Sequence, residues 1–174
     1  MAAIFPVPIC RKVPLSFLLF IAMVTTATVW SVRSGFLWTG ICLVAVTAPL
    51  AALYWWMLHV NPSKTRIIID DGDLLVDAPP FLKANQPMTS ISRAFVANMN
   101  DEDEFRDMKK EQCMAFFGYK NGIFKTASNK DAIVVARSNK VLCLETPERW
   151  FLLGPKDLDG LIQAVGQVIP VKNA

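Results

Sequence analysis

No acidic side chain occurs before Asp70, and that absence limits what the first part of this chain can become. The only formal charges ahead of it are Arg11, Lys12, Arg33, Lys64 and Arg66. Between Lys12 and Arg33 lie about 20 uncharged residues, enough for a helix to cross roughly 30 Å of hydrocarbon. A second uncharged run, Ser34 to Leu58, has about 25 residues and can cross with some tilt. A helix suits lipid because it satisfies its own backbone groups. The short linker Ser31-Val32-Arg33-Ser34-Gly35 then predicts an antiparallel hairpin, with helices over about 13–32 and 36–59.

The flanks agree with a membrane assignment. Trp30 and Trp38 fall at the hairpin tip, and Trp55 and Trp56 near the far end of the second run, where interfacial aromatics concentrate. Arg11 and Lys12 precede the first run, Lys64 and Arg66 follow the second, and only Arg33 lies at the tip. The positive-inside rule therefore predicts two spans of an inner membrane with both termini cytoplasmic. Two alternatives compete with this reading. A signal peptide would need a clear small-residue cleavage site and no second span. A buried soluble hairpin would need an apolar partner around it.

Overall, 53% of the 174 residues are hydrophobic and 19% charged, and the net charge is +3. Arg11, Lys12 and Arg33 account for that whole excess, so the chain from Asn61 onward is formally neutral. Without a basic face, a nucleic-acid partner is not expected. Cys10, Cys42, Cys113 and Cys143 are scattered, with no C-x-x-C pair, which speaks for a reducing compartment.

After Asn61-Pro62-Ser63 the texture changes. Turn signals recur at Asp71-Gly72, Pro79-Pro80, Asn121-Gly122, Ser128-Asn129, Ser138-Asn139 and Thr146-Pro147. Between them, runs rich in β-branched and aromatic residues predict strands near 66–70, 74–77, 91–98, 114–119, 123–126, 132–136, 141–145 and 149–153. Such strands form an antiparallel sheet curled into a barrel or sandwich. Gly154-Pro155 is expected to open a C-terminal helix with an apolar face of Leu158, Leu161, Ile162, Val165, Val168 and Ile169. The acidic stretch from Asn100 to Glu111 reads as a solvated loop or helical turn.

Two segments carry a family resemblance. Gly118-Tyr119-Lys120-Asn121-Gly122-Ile123-Phe124 resembles a G-Y-x-x-G-x-F element, and Trp150 to Asp157 resembles a strand-to-helix junction ending in S-P-x-D. Both are similar to the bacterial pleckstrin-homology (PH)-like families, over about Thr65 to Val168. One departure is Gly154, where Ser usually stands as the cap. The resemblance implies an α+β chain: a two-helix transmembrane hairpin (1–60), then a PH-like antiparallel β-barrel or sandwich (61–174) capped by a C-terminal α-helix. Both motifs explain fold rather than chemistry, so function carries over poorly. Eukaryotic PH domains hold phosphoinositides with basic residues near the first strand-to-strand loop. Here that loop carries Asp70, Asp71 and Asp73, which repel phosphate, so no specific phosphoinositide binding is expected.

Chemistry-bearing constellations are scarce. His59 is the single histidine, with no second ligand nearby. The Asp70–Asp77 carboxylates lack the EF-hand ligand series, and no Walker, G-x-S-x-G or dinucleotide fingerprint occurs. The chain is expected to need no cofactor, to hold no metal and to be no enzyme. The leading expectation is a protein-interaction scaffold at the cytoplasmic membrane face. The alternative is an accessory or assembly subunit whose helices pack into a larger membrane complex, with Thr25, Thr26, Thr28, Gly40 and Thr47 supporting contacts. A cavity-based enzyme or lipid-binding protein is a more remote third. Expected partners are membrane lipids and a membrane-associated protein or further copies of the chain. The membrane-interface candidates are Trp30, Trp38, Trp55, Trp56, Arg11, Lys12, Lys64 and Arg66; the candidate docking loop is Asp101, Glu102, Asp103 and Glu104.

Overall fold

A computed structural model describes residues 2–9, 12–80, 82–116 and 118–173. By internal contacts the chain divides into two units: Arg11–Asn61, and a second unit that joins Met1–Cys10 to Pro62–Ala174. That division differs from an expected boundary at residue 60. The segment before the hairpin belongs with the residues after it.

In the first unit, helix α1 spans Lys12–Arg33 and helix α2 spans Leu37–Trp55. The second helical run continues through a π turn at Trp56–Val60 and on to Ser63. At 22 and 27 residues, both runs are long and apolar enough to cross a membrane. They would reach about 33 and 40 Å. The turn between them is closed by Phe36 N–H donating to Ser31 O at 3.0 Å, with Gly35 at φ +86°. Gly40 lets the helices approach, because a Cβ there would sit 2.9 Å from Val32 Cγ2. At the other end Phe17 of α1 lies 4.9 Å from Trp55 of α2, ring centre to ring centre.

The second unit is a sandwich of two open sheets. The smaller has the order β1-β2-β3-β4: β1 Ala3–Pro6, β2 Arg66–Asp70, β3 Asp73–Ala78 and β4 Leu82–Pro87. All its neighbours are antiparallel, with Ile4 opposite Ile68 and Ile68 opposite Leu75. Asp71 (φ +47°) and Gly72 (φ +85°) make the tight β2–β3 turn, the geometry a two-residue hairpin loop favours.

The larger sheet has the order β11-β5-β9-β10-β8-β7-β6. Its strands are β5 Arg93–Asn98, β6 Lys109–Phe116, β7 Tyr119–Lys125, β8 Asp131–Ala136, β9 Lys140–Glu145, β10 Arg149–Gly154 and β11 Val171–Asn173. Two neighbour pairs, β8–β10 and β5–β11, are parallel, a departure from a purely antiparallel sheet. The β8–β9 connection leaves a one-strand gap; β10 hairpins back from β9 to fill it and so runs alongside β8.

Three further expectations are corrected. Asn121-Gly122 is not a turn but the middle of β7, paired with Met114 and Cys113 of β6. The C-terminal helix spans Leu158–Gly166, starting later than Pro155 and ending before Val168. Its cap is Asp157, whose Oδ1 accepts from Gly160 N–H at 3.0 Å. Gly154 is therefore not a weakened cap; it ends β10, packed so closely that a Cβ would meet Ala136 Cβ at 2.9 Å. Strands β1, β4 and β11 come in addition to those expected.

Two cores result. Inward side chains of both sheets, among them Phe5, Val7, Ile67, Val76, Tyr119, Leu142 and Phe151, meet Leu161 and Val165 of the C-terminal helix. The outer face of the larger sheet forms a second core of Phe95, Phe124, Val134, Cys143, Trp150 and Leu152, plugged by Phe105.

Candidate functional site

Phe105 shows how the acidic loop is held. It sits in the helical turn Asp103–Arg106, is buried, and meets Trp150 edge-on at 5.2 Å between ring centres. Glu104 turns inward as well: its carboxylate accepts from the Ser128 hydroxyl and from Ser128 N–H, and its carbonyl accepts from Ala127 N–H. Burial works against ionisation of Glu104. Hydrogen bonds from Ser128 and Thr126, with the Lys130 charge, outweigh it and hold the carboxyl below its ordinary value. Of the four acidic candidates, then, Glu104 ties the loop to the 126–130 turn. Asp101 and Asp103 point to solvent, and Glu102 is half-buried. Asp103 also pairs with Arg106 at 3.4 Å, an exposed pair that holds little energy.

The membrane-interface candidates are not one cluster. Trp30 and Trp38 are exposed near the hairpin turn, and Trp56 is exposed at the other end. Trp55, the last residue of α2, instead stacks on His59 of the π turn at 4.1 Å. Lys12 and Lys64 are exposed, each at the outer end of a helical run. Arg66 is a strand residue whose guanidinium lies 3.3 Å from Asp77 across β2–β3. Arg11 and Cys10 lie outside the described residues.

Thr25, Thr26, Thr28 and Thr47 donate their hydroxyls to carbonyls one turn back in their own helices. That satisfies the donors without any partner helix. Cys143 is fully buried, and burial pushes its thiol up to about 12, so it stays protonated near neutral pH. Among the described residues no group of three His, Cys, Asp or Glu is placed to hold a metal ion.

A feature the sequence reading missed lies at the start of β5. Met88, Ile91, Val168, Ile169 and Pro170 line a groove of about 730 Å³, bordered by Arg93 and Lys172. Arg93 holds its guanidinium 4.4 Å from the centre of the Phe95 ring, a cation–π contact. The two cations are far apart in sequence, and only the parallel β5–β11 pairing brings them together.

Two open sheets with one C-terminal helix packed into the inner core define a PH-like sandwich, here with a helical hairpin between its first two strands. The model of the bacterial PH domain family matches residues 65–169, more than half of the chain, and the chain belongs to that family. The match begins one residue before β2 and so leaves out both β1 and the hairpin. PH domains are generally non-catalytic binding modules. No curated protein and no solved structure matches the chain.

Proposed function

We propose that this chain is a non-enzymatic, membrane-anchored PH domain that presents a protein-interaction surface at the cytoplasmic face of the inner membrane. One observation carries the reading. Strand β1 precedes the hairpin, β2 follows it, and the two pair from Ala3↔Ile69 to Pro6↔Arg66. Val7 N–H adds a bond to Thr65 O at 3.1 Å. Strands that pair must share one aqueous side, so a hairpin between them crosses an even number of times. The cations Lys12 and Lys64 at the helix ends favour that side being cytoplasmic. Three carboxylates around the β2–β3 turn favour a protein partner over a phosphoinositide. A tether raises the effective concentration toward membrane neighbours, which makes weak contacts useful.

The test has two arms. Carbonate-washed membranes should retain the protein, and thiol-reactive probes at engineered Ala2→Cys and Lys172→Cys should label from the same side. A protein partner captured from membranes in mild detergent should persist when the hairpin is exchanged for an unrelated two-span hairpin. Protein in the supernatant without detergent, or labelling from opposite sides, defeats the reading.

A groove of about 260 Å³ along the hairpin, lined by Val24, Thr28, Val44 and Ala48 among others, favours the second reading, an accessory subunit with other helices packed there. Under that reading the hairpin exchange abolishes capture.

A further inference from the structure

We propose that the outer face of the seven-stranded sheet is a self-association surface, on which Arg93 and Lys172 of one copy receive the acidic segment Asp101–Asp103 of a second copy. The inference deepens the scaffold reading and rests on it. Lys172 stands beside Phe95 in register, and Arg93 is two residues before Phe95 on the same strand face. Both cations therefore leave the sheet on one side. Among the described residues neither enters an ion pair. The cross-strand neighbour of Arg93, Glu145, is taken by Lys130 at 3.4 Å. Stacking over Phe95 leaves guanidinium N–H donors for an incoming carboxylate.

The groove at the sheet edge beside these cations has no carboxylate in its lining, and its apolar side chains Met88, Ile91 and Ala94 belong to the inner core, so what the outer face offers here is charge. The complementary group is the acidic loop. With Glu104 turned inward, Asp101, Glu102 and Asp103 remain, and Asp103 has a side chain 95% exposed. Phe95, under the Arg93 guanidinium, and Phe105, next to the acidic residues, both meet Trp150 edge-on at 6.1 and 5.2 Å between ring centres, so cation and acidic loop border one another on this face. A patch with adjacent opposite charges is self-complementary about a two-fold axis: the cations of each copy meet the acids of the other, twice.

The full-length chain in mild detergent tests this by light scattering across concentration. The expected result is a dimer that dissociates as salt rises to about 0.5 M. Reversal by Arg93→Glu with Lys172→Glu should weaken it at least about tenfold, and so should Asp101→Lys with Glu102→Lys and Asp103→Lys. Mixing the two reversed proteins should restore association, an outcome that misfolded variants cannot give. A chain that is monomeric at every concentration overturns the inference, as does a dimer indifferent to both reversals or a mixture that stays monomeric. If such a monomer still captures a different protein through its soluble unit, the scaffold reading survives and only the self-association surface fails.

Discussion

At the scale of single residues, Gly122 shows how little freedom the β7 position leaves. Its φ of +132° is open to glycine, and an added Cβ would run into the Gln112 carbonyl and the Cys113 backbone. Backbone atoms cannot swing aside as a side chain would. Gly122→Ala should therefore destabilise the soluble unit by about 2 kcal/mol or more, read as a lowered thermal midpoint in detergent. Phe105→Ala should cost about 3–5 kcal/mol, because it empties the plug over Trp150. An unchanged midpoint would show that the loop does not seal the second core. Glu104 gives a pH signature. Its folded pKa lies below the ordinary value of a glutamate carboxyl. Its contribution is complete above that value and disappears as pH falls through the lowered folded pKa. The gap in thermal midpoint between wild type and Glu104→Gln should be widest near neutral pH and close on acidification.

These residues also show what the sequence makes legible. Gly118, Tyr119, Gly122 and Phe124 stand out as a motif, but the pattern alone makes Asn121-Gly122 look like a turn. Only the close approach of the Gln112–Cys113 backbone on the neighbouring strand explains why the glycine sits mid-strand. Glu104 is indistinguishable from its acidic neighbours until the 126–130 turn is folded against it. Arg93 and Lys172 gave no signal, since a parallel pairing over long sequence separation leaves no local trace.

At the scale of elements, alternation and β-branched content locate β2, β3, β5, β8, β9 and β10 within a residue or two. The missed strands fail for physical reasons. Strand β4, Leu82-Lys83-Ala84-Asn85-Gln86-Pro87, is an edge strand with a polar outer face and scant β-propensity. Strand β11 has three residues, and β1 has four ending in Pro6. Yet β1 is no ornament: its Phe5, and Val7 just after it, are buried in the main core. A fragment of residues 62–174 lacks both side chains and exposes the β2 edge. It should be less stable, by about 3 kcal/mol or more, than a chain in which residues 2–9 are rejoined to it through a flexible linker replacing the hairpin. Urea unfolding of the two proteins decides the matter; equal midpoints would mean that β1 adds nothing.

For the whole molecule, the apolar first third and the sandwich that follows were both readable, because hydropathy runs and strand alternation are local signals. The real division of the chain was not. The first unit is an insertion within the second, and a pairing that skips more than fifty residues is invisible to any window of sequence.

That interruption has a consequence for biogenesis. Under the membrane-anchored reading, the opening strand leaves the ribosome long before its neighbour and must wait, unpaired, while both apolar segments are handed to the insertion machinery. A molecule whose segments stall, or stop with one end on the wrong side, never completes its smaller sheet. It keeps a bare strand flank and a gap where two apolar side chains belong.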